Sequence, residues 1–190
     1  MTPTSLPSTP AQTVGPFLSI GMTWERGEYV VPEKTPGAFW IRGRLLDGAD
    51  DPVPDGLIET WQADRDGGFA HARRQSGSGG EGFRGFGRSL TAPDGGYAIH
   101  TRKPGQVSDG EGGMQAPHLD VSVFARGLLH RVVMRFYFGD EREANDRDAV
   151  LASLSDEAGR STLIAGPDGA GGYTLDIRLQ GAHETVFFTV

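Results

Sequence analysis

Glycine and proline cut this chain into short segments, and that punctuation limits what it can fold into. The 190 residues include 29 glycines and 12 prolines, most of them between runs in which apolar and polar residues alternate. Alternation with period two marks strands with one buried face, and runs this short are unsuited to stable helices. Turn signals stand where such strands must reverse: Asp47-Gly48, Asp66-Gly67-Gly68, Pro93-Asp94-Gly95-Gly96 and Pro167-Asp168-Gly169. We read strands at Phe39–Asp47, Leu57–Gln62, Tyr97–Thr101, His118–Ala125, Arg131–Phe138, Tyr173–Leu179 and Thr185–Val190. That set predicts an all-β sandwich of mostly antiparallel strands. One or two short helices are expected, at Asp148–Leu154 and Asp156–Gly159, with Ser155 as a cap between them. Gly67-Gly68 and Ser76–Gly82 read as loops.

The length suits one domain with a substantial core. A net charge of −7 and the lack of a basic run argue against nucleic acid or an anionic membrane as partner, because both are bound through clustered Lys and Arg. With no cysteine there are no disulfides or thiolate metal sites. Met1–Pro10 has neither a basic start nor an apolar run, and no stretch reaches the length of a membrane span, so a soluble cytoplasmic protein is expected. Residues 1–23 differ from the rest: they are proline-rich, weakly periodic and not highly charged. They read either as a frayed terminus or as a long extended arm laid against a partner, ahead of a sandwich domain spanning 24–190.

Chemistry concentrates in Ala116–Gly127. A strand points residues two apart to the same face, so His118 and Asp120 stand side by side, with Ser122 and Phe124 beyond them. His118-x-Asp120 followed by His183 also has the order of the facial triad of 2-oxoglutarate-dependent iron oxygenases. Those enzymes need an Arg or Lys after the distal histidine to hold their cosubstrate, and none follows His183. The simpler alternative is that His118 and Asp120 hydrogen-bond each other or a nearby loop. His71, His100 and His130 read as structural or exposed, while Tyr97, Tyr137, Tyr173 and Trp61 read as core or cross-strand residues. No Ser-His-Asp arrangement or phosphate loop is present.

A series of blocks resembles the intradiol ring-cleaving dioxygenases in order and spacing. They include Glu59-Thr60-Trp61-Gln62-Ala63-Asp64, Gly87-Arg88, Asp94-Gly95-Gly96-Tyr97, Lys103-Pro104-Gly105, Ala116-Pro117-His118, Phe124-Ala125-Arg126-Gly127, Asp176–Gly181 and Glu184–Phe188. The resemblance implies a β-sandwich and a ferric ion held by two tyrosines and two histidines. In this chain the interval between Trp61 and Gly87 has no tyrosine, Gln106-Val107 stands where the second is due, and Asp120 replaces the second histidine. Only His118 survives, so Val107, His118 and Asp120 are degenerate ligand positions and no metal is expected in this chain.

Within the family, the arm Gln12–Phe17 and the block Phe124–Gly127 resemble the iron-free chain of a two-chain enzyme. That implies a homologous partner holding Fe(3+), a small aromatic acid and dioxygen as substrates, and a higher-order hetero-oligomer. It also implies that Thr13, Gly15, Pro16, Phe17 and Arg126 line the partner's substrate pocket and that no catalytic residue lies in this chain alone. Glycine permits close backbone approach, proline fixes it, and arginine supplies positive charge for an anionic acid. Phe17 stands where relatives often carry a tyrosine. Gly43–Gly48, Pro52–Gly56 and Glu59–Trp61 would equally open a transthyretin-like binding module, which has no use for the arm. A heteromer with a tyrosine-rich, histidine-containing homologue would separate the two readings.

Overall fold

Alternation becomes burial in the folded chain: along His118–Phe124, Leu119, Val121 and Val123 face the core while Asp120, Ser122 and Phe124 are only half-buried. The computed structural model describes residues 9–15, 17–70 and 82–189. The expected loop at Ser76–Gly82 lies, except for Gly82, outside the described residues. So do His71 and Pro16. Eleven strands are found among the described residues: β1 Phe39–Leu46, β2 Leu57–Trp61, β3 Phe86–Leu90, β4 Gly96–Thr101, β5 Val107–Ser108, β6 Met114–Gln115, β7 His118–Phe124, β8 Val132–Phe138, β9 Ile164–Pro167, β10 Tyr173–Thr174 and β11 Ile177–Arg178. Four short helices accompany them: α1 Phe17–Gly21, α2 Arg142–Arg147, α3 Ala149–Ser153 and α4 Glu157–Ser161.

One layer runs β3-β2-β7-β8, antiparallel throughout, and β9 joins the far edge of β8 in parallel. In the other layer β1 pairs antiparallel with β4 and parallel with β10 and β11. The β9–β10 hairpin links the two layers. Its turn is held by Asp168, whose Oδ1 accepts from the N–H groups of Ala170 and Gly172. Inward side chains meet between the layers: Ile58, Leu119, Val121, Met134 and Phe136 from the first against Ile41, Tyr97, Ile99 and Ile177 from the second. The result is the mostly antiparallel β-sandwich predicted from the period-two pattern.

Several local features differ from expectation. The segment Tyr173–Leu179 is two strands, because the Leu175 carbonyl turns to accept the Tyr97 hydroxyl at 2.6 Å and the Asp176 side chain takes the Arg44 N–H at 2.8 Å. Gly43 makes the break possible: a Cβ there would overlap the Leu175 carbonyl oxygen. The segment Thr185–Val190 is not a strand over its described residues, since it crosses from one layer to the other. Thr185 bonds to Arg178 beside β1, Val186 donates to the Thr162 hydroxyl, and Phe188 reaches β8 by a single bridge to Val133. Its apolar side chains Val186, Phe187 and Phe188 pack on this chain's own core.

Ser155 is not a cap. Asp148 and Asp156 are, each accepting two N–H groups in the first turns of α3 and α4. Strand β3 escapes the sequence reading because Gly85 and Gly87 make it look like a loop. Gly87 is required by crowding: an added Cβ would sit 2.8 Å from Val30 Cγ2 and 3.0 Å from Thr60 Oγ1. Residues 9–15 of the arm have no regular structure, but Phe17–Gly21 forms a helical turn rather than continuing extended.

Candidate functional site

Two places gather the residues singled out by sequence. The first lies on the outer face of β7 and β8, where the register sets His118 opposite Tyr137 and Asp120 opposite Arg135. His118 is buried, and its Nδ1 lies 2.7 Å from the Ala116 carbonyl, to which it donates. Its Nε2 stands 3.8 Å from Asp120 Oδ1, too far for a hydrogen bond. Burial, reinforced by the Arg135 charge, holds the imidazole below its ordinary pKa, so it is neutral at pH 7.

Asp120 is claimed by Arg135, whose Nε lies 3.1 Å away, and the same guanidinium donates to the Tyr137 hydroxyl at 3.3 Å. Tyr137 donates in turn to Asp148 Oδ1 at 3.1 Å, and burial is the main cause that raises its phenol pKa. Asp148 is fully buried and also accepts from the N–H groups of Ala116, Val150 and Leu151. The chain from Asp120 to α3 is thus one connected polar network.

Ferric iron does not fit here. It needs deprotonated, anionic oxygen ligands and open imidazole nitrogens, but the nearby tyrosine is kept protonated and the carboxylate already neutralises a fixed cation. Val107 offers no donor atom and lies on β5 opposite Gln115. His183 belongs to a different groove, shared with Asp156, Arg178 and Glu184, so the facial-triad arrangement is not assembled. Among the described residues no group of three or more His, Cys, Asp or Glu is placed to hold a metal.

The second place is the turn that follows β7. Leu128 N–H bonds the Ala125 carbonyl at 3.3 Å, and Gly127 adopts φ +91°, a left-handed conformation that suits glycine. Gly127 N–H donates to Thr13 Oγ1 at 2.9 Å. That bond brings an arm residue beside Arg126, whose side chain is 58% exposed and paired with Asp55 at 3.0 Å. Gly15, at φ +63°, is half-buried two residues further on. Phe17, by contrast, begins α1 with 76% of its surface exposed, and its neighbour Ile20 is 73% exposed. Val14, Met22 and Trp24 are exposed as well, so large apolar residues gather along the arm.

The base of the arm is fastened too. Arg88 donates to the Met22 carbonyl at 2.5 Å, stacks 4.5 Å from the Trp24 ring and pairs with Glu59 on the neighbouring strand. Sequence reasoning missed Asp55, Arg135, Asp148 and this Arg88 anchor. Arg135 was discoverable, since it alternates with the inward Met134 and Phe136 and so must share the face of Asp120.

Comparison with known proteins fits this picture. Residues 24–181 match the family model described as Dioxygenase. The chain is 37% identical to a protocatechuate 3,4-dioxygenase alpha chain of Pseudomonas putida, over 96% of each. It is 33% identical to a protocatechuate 3,4-dioxygenase beta chain of Burkholderia cepacia, over 76% of this chain and 65% of that one. Among solved structures, the dioxygenase domain of a carbohydrate-binding fusion protein from Streptomyces sp. SirexAA-E superposes with a TM-score of 0.60 at 26% identity, covering 92% of this chain and 99% of that one. With the motifs, the sandwich and these relatives in agreement, the chain belongs to the intradiol ring-cleaving dioxygenase family.

Proposed function

We propose that this chain is the alpha-type subunit of a protocatechuate 3,4-dioxygenase and works with a homologous beta-type chain that holds the iron. The assembled enzyme cleaves protocatechuate between its two hydroxyl-bearing carbons, both atoms of dioxygen entering the product 3-carboxy-cis,cis-muconate. The ferric ion supplies the activation of the catechol toward oxygen. This chain contributes binding and enclosure: Gly15 and Pro16 carry the arm's backbone close to the substrate, Thr13 fixes the arm to the turn after β7, and Arg126 binds the substrate's carboxylate.

The observation that carries this reading is the Thr13–Gly127 hydrogen bond, which fastens the arm next to an exposed arginine. Exposed Phe17 and Ile20, grouped along the chain with Val14, Met22 and Trp24, fit the same reading, because clustered exposed apolar side chains mark interaction surfaces. The two kinds of relative, alpha and beta, fit the division of labour, as does the poor match between iron and the guanidinium-filled face of β7 and β8.

Co-expression with a beta-type homologue tests it. The complex should carry one iron per pair of chains and the visible tyrosinate-to-iron absorption, whereas this chain alone should carry neither. Deleting residues 1–14 should raise KM for protocatechuate and leave that absorption intact. Stoichiometric iron in the isolated chain, lost in His118→Ala, would refute the assignment.

A further inference from the structure

We propose that Asp55 is a positioning residue that grips Arg126 from the side and turns the outer edge of its guanidinium toward the substrate's carboxylate. The proposal rests on the reading of Arg126 given above. The ion pair runs through one nitrogen: Asp55 Oδ2 and Oδ1 lie 3.0 and 3.2 Å from Nε. Among the described residues neither Nη1 nor Nη2 has a hydrogen-bond partner. Carboxylates take arginine best through two parallel N–H bonds. With the Nε side occupied, the Nη1/Nη2 edge is the one left to present.

Stability does not explain the pair. Arg126 and Asp55 are 58% and 32% exposed, and ion pairs so exposed contribute little to folding. The turn carrying Asp55 is nevertheless built rigidly. Asp55 has φ +56°, rare for a residue with a side chain, and Thr91 clamps the turn on both sides of it. The Thr91 hydroxyl donates to the Val53 carbonyl and accepts from Gly56 N–H, each at 2.7 Å, while Thr91 N–H donates to the Gly56 carbonyl at 2.9 Å. Gly56 is packed so tightly that an added Cβ would lie 2.6 Å from Leu45 Cδ2. A core-anchored turn thus holds Asp55, and Asp55 holds Arg126 beside the fastened arm.

Two effects oppose each other. Asp55 is an anion near the place where another anion binds, but the guanidinium stands between them and water screens the repulsion. An untethered arginine, in contrast, would surrender rotamer freedom on binding. The sign of the change in protocatechuate binding in Asp55→Gly therefore shows which effect prevails, and the proposal requires the tether.

The test uses the assembled two-chain enzyme. Asp55→Gly keeps the left-handed turn and removes the carboxylate, and Asp55→Asn keeps the turn and an acceptor for Nε without the charge. Dissociation constants for protocatechuate and catechol are measured without oxygen by calorimetry, and KM in its presence. Asp55→Gly should weaken protocatechuate binding about three- to tenfold, Asp55→Asn less, and catechol binding should change by less than about twofold. Adding Asp55→Gly to Arg126→Leu should cost nothing further, because the two act through one contact. Unchanged or tighter protocatechuate binding in Asp55→Gly, or equal weakening of catechol, overturns the role of Asp55 if Arg126→Leu still discriminates between the two ligands. If Arg126→Leu does not discriminate, the underlying reading of Arg126 falls, and Asp55 with it.

Discussion

His118 persists as a buried neutral imidazole, and its surroundings make that state testable. Its folded pKa lies below the unfolded value of about 6.5. The unfolded chain therefore binds more protons as pH drops through about 6.5, and His118 subtracts stability there until the native ring itself protonates. Thermal midpoints of the complex should fall more steeply between pH 7 and 5 for the wild type than for His118→Gln; parallel curves would show that the histidine is not buried neutral. Arg135 is one of the causes, so Arg135→Leu should move the His118 pKa upward, as read by NMR of the imidazole. Sequence made the His118–Asp120 neighbourhood legible through period two alone. Alternation also puts Arg135 on the face away from Met134 and Phe136, but its pairing with Asp120 needs the strand register, which the sequence does not carry.

At the level of elements, polar groups decide what periodicity does not. β7 and β8 were legible because their ladders are continuous and one face is apolar. The segments Tyr173–Leu179 and Thr185–Val190 have equally good patterns, yet their backbone groups pair with the hydroxyls of Tyr97, Thr162 and Thr185, and the Asp176 side chain takes the Arg44 N–H, instead of a full ladder. Such side-chain substitutions leave no periodic trace. Asp148 shows how much one such group can carry, since it caps α3 while holding Ala116 and Tyr137. Asp148→Ala should destabilise the complex by about 3–5 kcal/mol, from a lost cap and buried donors left unpaired. Asp148→Asn should be intermediate, because its amide nitrogen would face a donor. Urea unfolding measures both, and a loss under about 1 kcal/mol for Asp148→Ala would contradict the network.

At the scale of the molecule, the chain keeps a complete sandwich core yet leaves its N-terminal arm fastened at two points with apolar residues outward. The arm was partly legible, from its proline content and its motif, but the fastening was not: the Thr13–Gly127 and Arg88–Met22 bonds join residues 114 and 66 apart in sequence. The apolar C-terminal segment is spent on the chain's own core, whereas Val14, Phe17, Ile20, Met22 and Trp24 at the N-terminal end stay exposed. On the function proposed above, this chain reads the substrate across an interface without holding the metal. The most direct test of that claim is Arg126→Leu in the assembled enzyme, with protocatechuate and catechol binding compared in the absence of oxygen. Losing a charge-assisted hydrogen bond should weaken protocatechuate by about 1–3 kcal/mol, leave catechol nearly unchanged and leave the iron content intact. Equal loss toward both ligands, with normal assembly and iron, would contradict the account.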